Sequence, residues 1–366
     1  MMRRSMALFA LLAIASLGVA GPVAAQEGDT VSEQGTLMEE VIDESVLGVV
    51  REVAQGGTEG QQLDVEVLEG SARGRRITLE FHGPELAAGD QLFVRRLVTL
   101  DGEEHFQVEE IDRRGTLLAF AALFVLAVLA LGRWQGVRAL ASLGLSIAAI
   151  VGILVPRILD GASPVLWGSL VAIGILLVSI ALTHGINRAS FAAFLGTAGA
   201  VGLTTFLATI AVAAAKFSGL ANDASFYLDI ETGGAIDLRG LLLAAIIIGT
   251  VGVLDDVAVT QAAAVEELHD ASPTIASREL FRRAMRIGRE HVGALVNTLA
   301  LAYAGAALPL LLLFRGALDP LGTIVNREMF AAEIIRTVIG SIGVITAVPL
   351  ATGFAVLFVH RKRTRS

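Results

Sequence analysis

The chain has no cysteine. That excludes disulfides, thiolate nucleophiles and cysteine-ligated zinc or iron–sulfur centres. Lysine is nearly missing too. Of 28 basic residues all but Lys216 and Lys362 are arginine, which fits a GC-rich coding bias in a chain so rich in Ala and Gly. There is no nucleophile elbow, P-loop, HExxH or dinucleotide fingerprint. Without a nucleotide site, a self-contained pump is excluded. No inverted repeat is evident.

Apolar residues make up what these lack. They are 54% of the 366 residues, with a mean hydropathy of +0.69, against about 45–50% in soluble domains. The excess collects in runs long enough for about 30 Å of hydrocarbon. Seven are predicted, at Leu117–Leu131, Val137–Val155, Leu166–Leu182, Phe191–Ala215, Leu238–Ala264, Val292–Phe314 and Ile334–Val359. The expected class is a polytopic α-helical membrane protein.

Residues 1–25 have the layout of a secretory signal: Arg3 and Arg4, an apolar stretch from Met6 to Ala20, then Val23-Ala24-Ala25. Cleaved, it leaves seven helices; retained as an anchor, it makes eight. Residues 26–114 carry 21 acids against 8 arginines, a net of −13 within a total of −8. So acidic a segment does not seek nucleic acid. Val46–Val53, Leu63–Leu68, Arg76–Phe81, Gln91–Val98 and His105–Ile111 alternate in polarity between Gly, Asp and Pro clusters. Five short strands predict a small β-barrel, OB-like or SH3-like. It is either a ligand-binding barrel or a structural cap or docking module. The helical part covers 115–359, and 360–366 form a basic tail.

Basic residues in the loops set the orientation. With the barrel outside, inner segments hold 12 Arg/Lys and the outer loops after the first helix hold six. Arg113 and Arg114 oppose the trend. The C-terminus is then cytoplasmic.

The most informative residues are Asp255 and Asp256, inside LLLAAIIIGTVGVLDDVAVTQAAA. A charge at bilayer depth costs about 2.5–3.5 kcal/mol on insertion scales and marks a pathway or a partner. Gly249, Gly252 and Asp256 share one helical face, and the glycines are expected to admit a neighbouring backbone. Thr260 is one turn on. Counting 1.5 Å per residue brings Asn297 of the next helix to the level of Asp256, with Thr298 beside it and Tyr303 higher. A cation or proton site of Asp256, Asn297 and Thr260 is one reading, and interhelical hydrogen bonding is the other. Asp255 is expected nearer the interface, facing water.

Arg278, Arg282, Arg283, Arg286 and Arg289 alternate with apolar residues. They predict a basic amphipathic stretch anchored on the inner leaflet. Glu266, Glu267, His269 and Asp270 are a solvated helix end rather than a metal site, because no His pair has ligand spacing. His184 and His291 are read as anchors at helix ends, His82 and His105 as structural. No cofactor is implied.

Three segments resemble the YibE/F family of bacterial membrane proteins: GTVGVLDDVAVTQAAAVEEL (Gly249–Leu268), MRIGREHVGALVNTLALAYAGAALP (Met285–Pro309) and LGRWQGVRALASLGLSIAAIVGILVP (Leu131–Pro156). The likeness is read over residues 45–358. It implies a multispanning inner-membrane protein with an extracytoplasmic N-terminal region, and a permease role. The family's single Asp before Val-Ala maps to Asp256, so Asp255 is a departure.

Two functions compete. One is a secondary transporter or permease for an ion or small solute. The other is a non-transporting sensor or assembly factor whose exported β-domain binds a partner, or that pairs with itself. An intramembrane aspartyl enzyme is disfavoured, since adjacent carboxylates on one helix point about 100° apart.

Overall fold

A computed structural model describes residues 40–54, 60–316 and 319–360. The signal segment, the polar stretch before residue 40 and the basic tail after His360 lie outside the described residues. The chain divides into two compact units, one running through Ala130 and the other starting at Leu131.

The first unit contains five antiparallel strands: β1 (Glu40–Ala54), β2 (Gln61–Val67), β3 (Arg76–Phe81), β4 (Gln91–Thr99) and β5 (Glu104–Ile111). They form one sheet in the order β3-β2-β1-β4-β5, a half-barrel. Strand β1 is long because it pairs twice. Residues from Glu40 to Val49 meet β4, and those from Gly48 to Ala54 meet β2, with a bulge between Val50 and Glu52. Alternation sets the core. In β2, Leu63, Val65 and Val67 are fully buried, and Asp64 and Glu66 between them are not. They pack with Val46, Val50, Ile77, Leu79, Leu92 and Val94.

Helix α1 runs Arg114–Ala149, but at Arg133 the backbone turns to φ 48° and ψ −125°. That conformation is outside the helical region, so two helices are joined there. A π-helical turn, Ile150–Leu154, leads into α2 (Val155–Leu159). Pro156 accounts for the wider turn, having no N–H and a ring that crowds the carbonyl four residues back. Helices α3 (Pro164–His184), α4 (Arg188–Ala214), α5 (Asp223–Glu231), α6 (Leu238–Ala271) and α7 (Ser277–Ala306) follow. Then come α8 (Leu308–Gly316), α9 (Leu321–Val325) and α10 (Glu328–His360).

Among the described residues five helical stretches are long and apolar enough to cross a membrane: Arg114–Leu159, α3, α4, α6 and Glu328–Val359 in α10. The first is 46 residues. At about 1.5 Å per residue that is roughly twice a bilayer's hydrocarbon depth, and it contains both of the first two predicted runs. The run Val292–Phe314 is not one helix. Helix α7 begins fifteen residues earlier, at Ser277, and the chain breaks at Ala307 before α8.

Helix α6 is the centre of the second unit, packed on α3, α4, α7 and α10. Small residues set these crossings. A Cβ on Gly196 of α4 would lie 2.5 Å from the Cα of Ala351 in α10, and one on Gly168 of α3 would lie 2.9 Å from the Cβ of Ala244 in α6. In a bilayer, where no hydrophobic force drives helices together, such close backbone approach is a main source of association.

Candidate intramembrane acid site

Asp237 caps α6, its Oδ1 accepting from Gly240 N at 3.0 Å. After Arg239 the helix carries no charged residue until its midpoint. Asp255 is that midpoint, with 17 helical residues before it and 16 after. Its Oδ2 accepts a hydrogen bond of 2.6 Å from Ser179 Oγ of α3. Its Oδ1 is buried and has no donor among the described residues. Asp255 is therefore the more enclosed acid and joins two helices, whereas the sequence places it toward water. The reason is rotational. Consecutive side chains differ by about 100° around the axis, and α3 lies against the Asp255 side.

Asp256 is exposed and makes no hydrogen bond among the described residues. The same holds for Thr260 and Asn297. Thr298 is also uncovered, and its Oγ1 donates to the Ala294 carbonyl of its own helix at 2.9 Å. Thus no hydrogen bond joins the members of the predicted Asp256–Asn297–Thr260 group. Tyr303 is half-buried, with its Oη 3.4 Å from where a Cβ on Gly249 would stand. A tyrosine, rather than a neighbouring backbone, uses the space at Gly249. Around Gly252 nothing lies within 4 Å of such a Cβ, so no helix approaches there.

His184 is the last residue of α3, the helix that supplies Ser179, and it is exposed. The sequence presents it only as a helix-end anchor. Ser179, five residues earlier, has a weak signal: a lone hydroxyl in ILLVSIAL. Depth arithmetic restricted to α6 and the following helix does not reach either residue.

Gln261 went unnoticed in the sequence and is the main polar tie of the bundle. It is 1% exposed. Its Nε2 donates to the Ala284 carbonyl of α7 at 2.9 Å and to Thr352 Oγ1 of α10 at 3.1 Å. Gly288 makes room for it, since a Cβ there would lie 2.6 Å from that nitrogen. Glu328 is a second unforeseen tie. Its carboxylate accepts from Ser218 N and Oγ and from Gly219 N, at 2.9, 2.8 and 2.6 Å, fixing the loop after α4 to the start of α10.

All five arginines of the basic stretch are exposed. They belong to the first half of α7 rather than to a separate surface helix, and Leu280, Ala284 and Gly288 on its other side are buried against protein. Arg282 and Arg283 both pair with Glu279. Glu266, His269 and Asp270 line a cavity of about 130 Å³ with Arg188, Ala262 and Phe358. Among the described residues no three His, Asp or Glu side chains gather as a metal site.

A family model described as YibE/F-like protein matches residues 120–361. This chain belongs to the YibE/F-like family. The match takes in α6, α7 and the Asp255–Ser179 pair, and it begins after the sheet, later than the residue 45 at which the likeness is read from sequence. No curated protein and no solved structure matches the chain. The family and the apolar helices make this a membrane protein.

Proposed function

We propose that the chain is a secondary transporter or permease for an ion or small solute and has no enzymatic activity. Its polar site is the aspartate pair of α6. One observation carries this reading: a carboxylate stands at the midpoint of the bundle's central apolar helix and is held there by a hydroxyl from another helix. Carboxylates are costly in a bilayer. Interhelical hydrogen bonds there are worth only about 0.6 kcal/mol on average, so packing alone is a poor reason to keep one.

The break at Arg133 and the α7–α8 pair support seven crossings. The proposed setting is a bacterial plasma membrane, with the β-domain outside, the basic tail in the cytoplasm and the first 25 residues acting as a secretory signal. The strand order supports an OB-like barrel opened between β3 and β5.

The deciding experiment is a growth and flux screen of a deletion strain across ions and small metabolites, complemented by wild type or by a double Asp255→Asn, Asp256→Asn variant. Restored flux with wild type and none with the folded double variant is expected. Full flux with the variant would overturn the site. The second reading, a sensor or assembly factor, is favoured by one fact: the β-domain is a compact unit outside the family match. Co-purification of one partner that requires the β-domain, with no substrate found in the screen, would favour it.

A further inference from the structure

We infer that Asp255, with Ser179 as a reversible hydrogen-bond partner, is the group in this bundle that takes up and releases a proton. The inference rests on the permease reading and names its coupling ion. It starts from the unequal surroundings of the two carboxylate oxygens. Oδ2 has one donor, Ser179 Oγ at 2.6 Å, and Oδ1 is enclosed with none. An ionised carboxylate offers about four acceptor sites. One donor leaves most of those sites without a protein partner among the described residues. Adding a proton removes the charge, and the new O–H has an acceptor at hand. A serine hydroxyl both donates and accepts, so the same pair persists with its direction reversed. The step is proton transfer alone: an O–H bond forms on the carboxylate on uptake and breaks on release, and nothing is oxidised or reduced.

A metal cation suits the place less well. Hard cations take six or more oxygens, and Asp255 and Ser179 supply two. The carbonyls of α3 and α6 are occupied by their own helices. Asp256 is also a poorer candidate, because it has no partner and faces about 100° away. The titratable groups closest to Asp255 in sequence on its own helix, and to Ser179 on α3, are Asp256 and His184. Of the other helices packed on α6, α4 starts with Arg188, α7 carries Glu290 and His291, and α10 carries Glu333 and Arg336. None of these forms a hydrogen bond or ion pair with Asp255. His184 is exposed where α3 ends, and imidazole is the side chain suited to passing protons. Its proposed role is to pass the proton between Asp255 and that end of the bundle.

The test uses the full chain in nanodiscs of phosphatidylethanolamine and phosphatidylglycerol. Infrared spectra are recorded across a pH titration in H2O and D2O, and those of each variant are subtracted from wild type. Asp255→Asn should remove one carboxylic-acid carbonyl band that shifts in D2O. Asp256→Asn should leave that band in place. Ser179→Ala should move its frequency without removing it, which keeps the test open if Asp255→Asn fails to fold. His184→Gln should slow the appearance of the band after a pH jump. A band lost with Asp256→Asn and kept with Asp255→Asn, or no such band at all, would overturn the proposal. The flux screen separates the two claims. Flux that needs Asp256 and not Asp255 sinks the proton site and spares the permease, whereas the expected band with no flux in any strain sinks the permease and spares the proton site.

Discussion

Gln261 illustrates what a single side chain does in a membrane bundle. Its amide reaches α7 and α10 together, and Gly288 leaves the space it needs. Gly288→Ala would put a methyl 2.5 Å from Val348 Cγ1 and 2.6 Å from Gln261 Nε2. Overpacking of this kind costs about 1–3 kcal/mol, so the melting temperature of the purified protein should fall. Asn297→Ala, at an uncovered residue with no hydrogen bond, should leave it unchanged. An unchanged melting temperature in Gly288→Ala would show that the bundle is insensitive to these contacts. A second residue-scale prediction concerns the β-domain. The guanidinium of Arg96, then that of Arg75, holds the Glu104 carboxyl below the usual glutamate range. A lowered carboxylate contributes stability above its unfolded pKa, about 4.3, and that contribution is lost as pH falls through the folded value. Residues 26–112 produced alone should therefore melt at lower temperature as the pH drops below about 4, and Glu104→Gln should flatten this dependence. An unchanged acid slope in the variant would remove Glu104 from the account. Residue identity was legible here and residue direction was not. The sequence marks two adjacent acids, but only the position of α3 decides that Asp255 is enclosed and Asp256 is not.

At the scale of elements, the strands were easiest to read. Leu63–Leu68, Arg76–Phe81 and Gln91–Val98 alternate because one face is buried, and the sheet places them within two residues of those bounds. The length of β1 was hidden, since pairing with two neighbours leaves no local mark. Helix α7 was misjudged for a different reason. Hydropathy separates its basic half from its apolar half, but backbone hydrogen bonding does not stop where hydropathy changes, and the helix is continuous from Ser277 to Ala306. Its arginines also differ among themselves. Arg282 and Arg283 share Glu279, while Arg278, Arg286 and Arg289 form no ion pair among the described residues. A basic residue near an anionic leaflet is worth about 1 kcal/mol. Changing the second set to Gln should lower phosphatidylglycerol retention by the purified protein severalfold, and changing Arg282 and Arg283 should do less. The reverse order would mean that Glu279 does not hold its partners in the membrane.

At the scale of the molecule, the division into an acidic β-unit and an apolar helical unit was visible in composition alone, because −13 of the net charge lies in residues 26–114. What composition leaves open is which helices touch. Gly196 against Ala351 and Gly168 against Ala244 decide that, and in a chain with 39 glycines no spacing rule singles them out. Orientation depends on the loop arginines and lysines, 12 on the proposed inner side against six on the outer. The lack of cysteine makes the test direct, since any cysteine introduced is the sole site of labelling. Asp101 is exposed in the turn between β4 and β5, away from the hydrogen-bonded Ser71, so Asp101→Cys should not disturb the sheet. With the β-domain outside and the tail in the cytoplasm, an impermeant maleimide added to whole spheroplasts should label Asp101→Cys at once. It should label Ser366→Cys only after the membrane is opened. Labelling of both from one side would require an even number of crossings between them. It would remove one of the seven proposed spans, and the α7–α8 pair, broken at Ala307, would be the first to reassign.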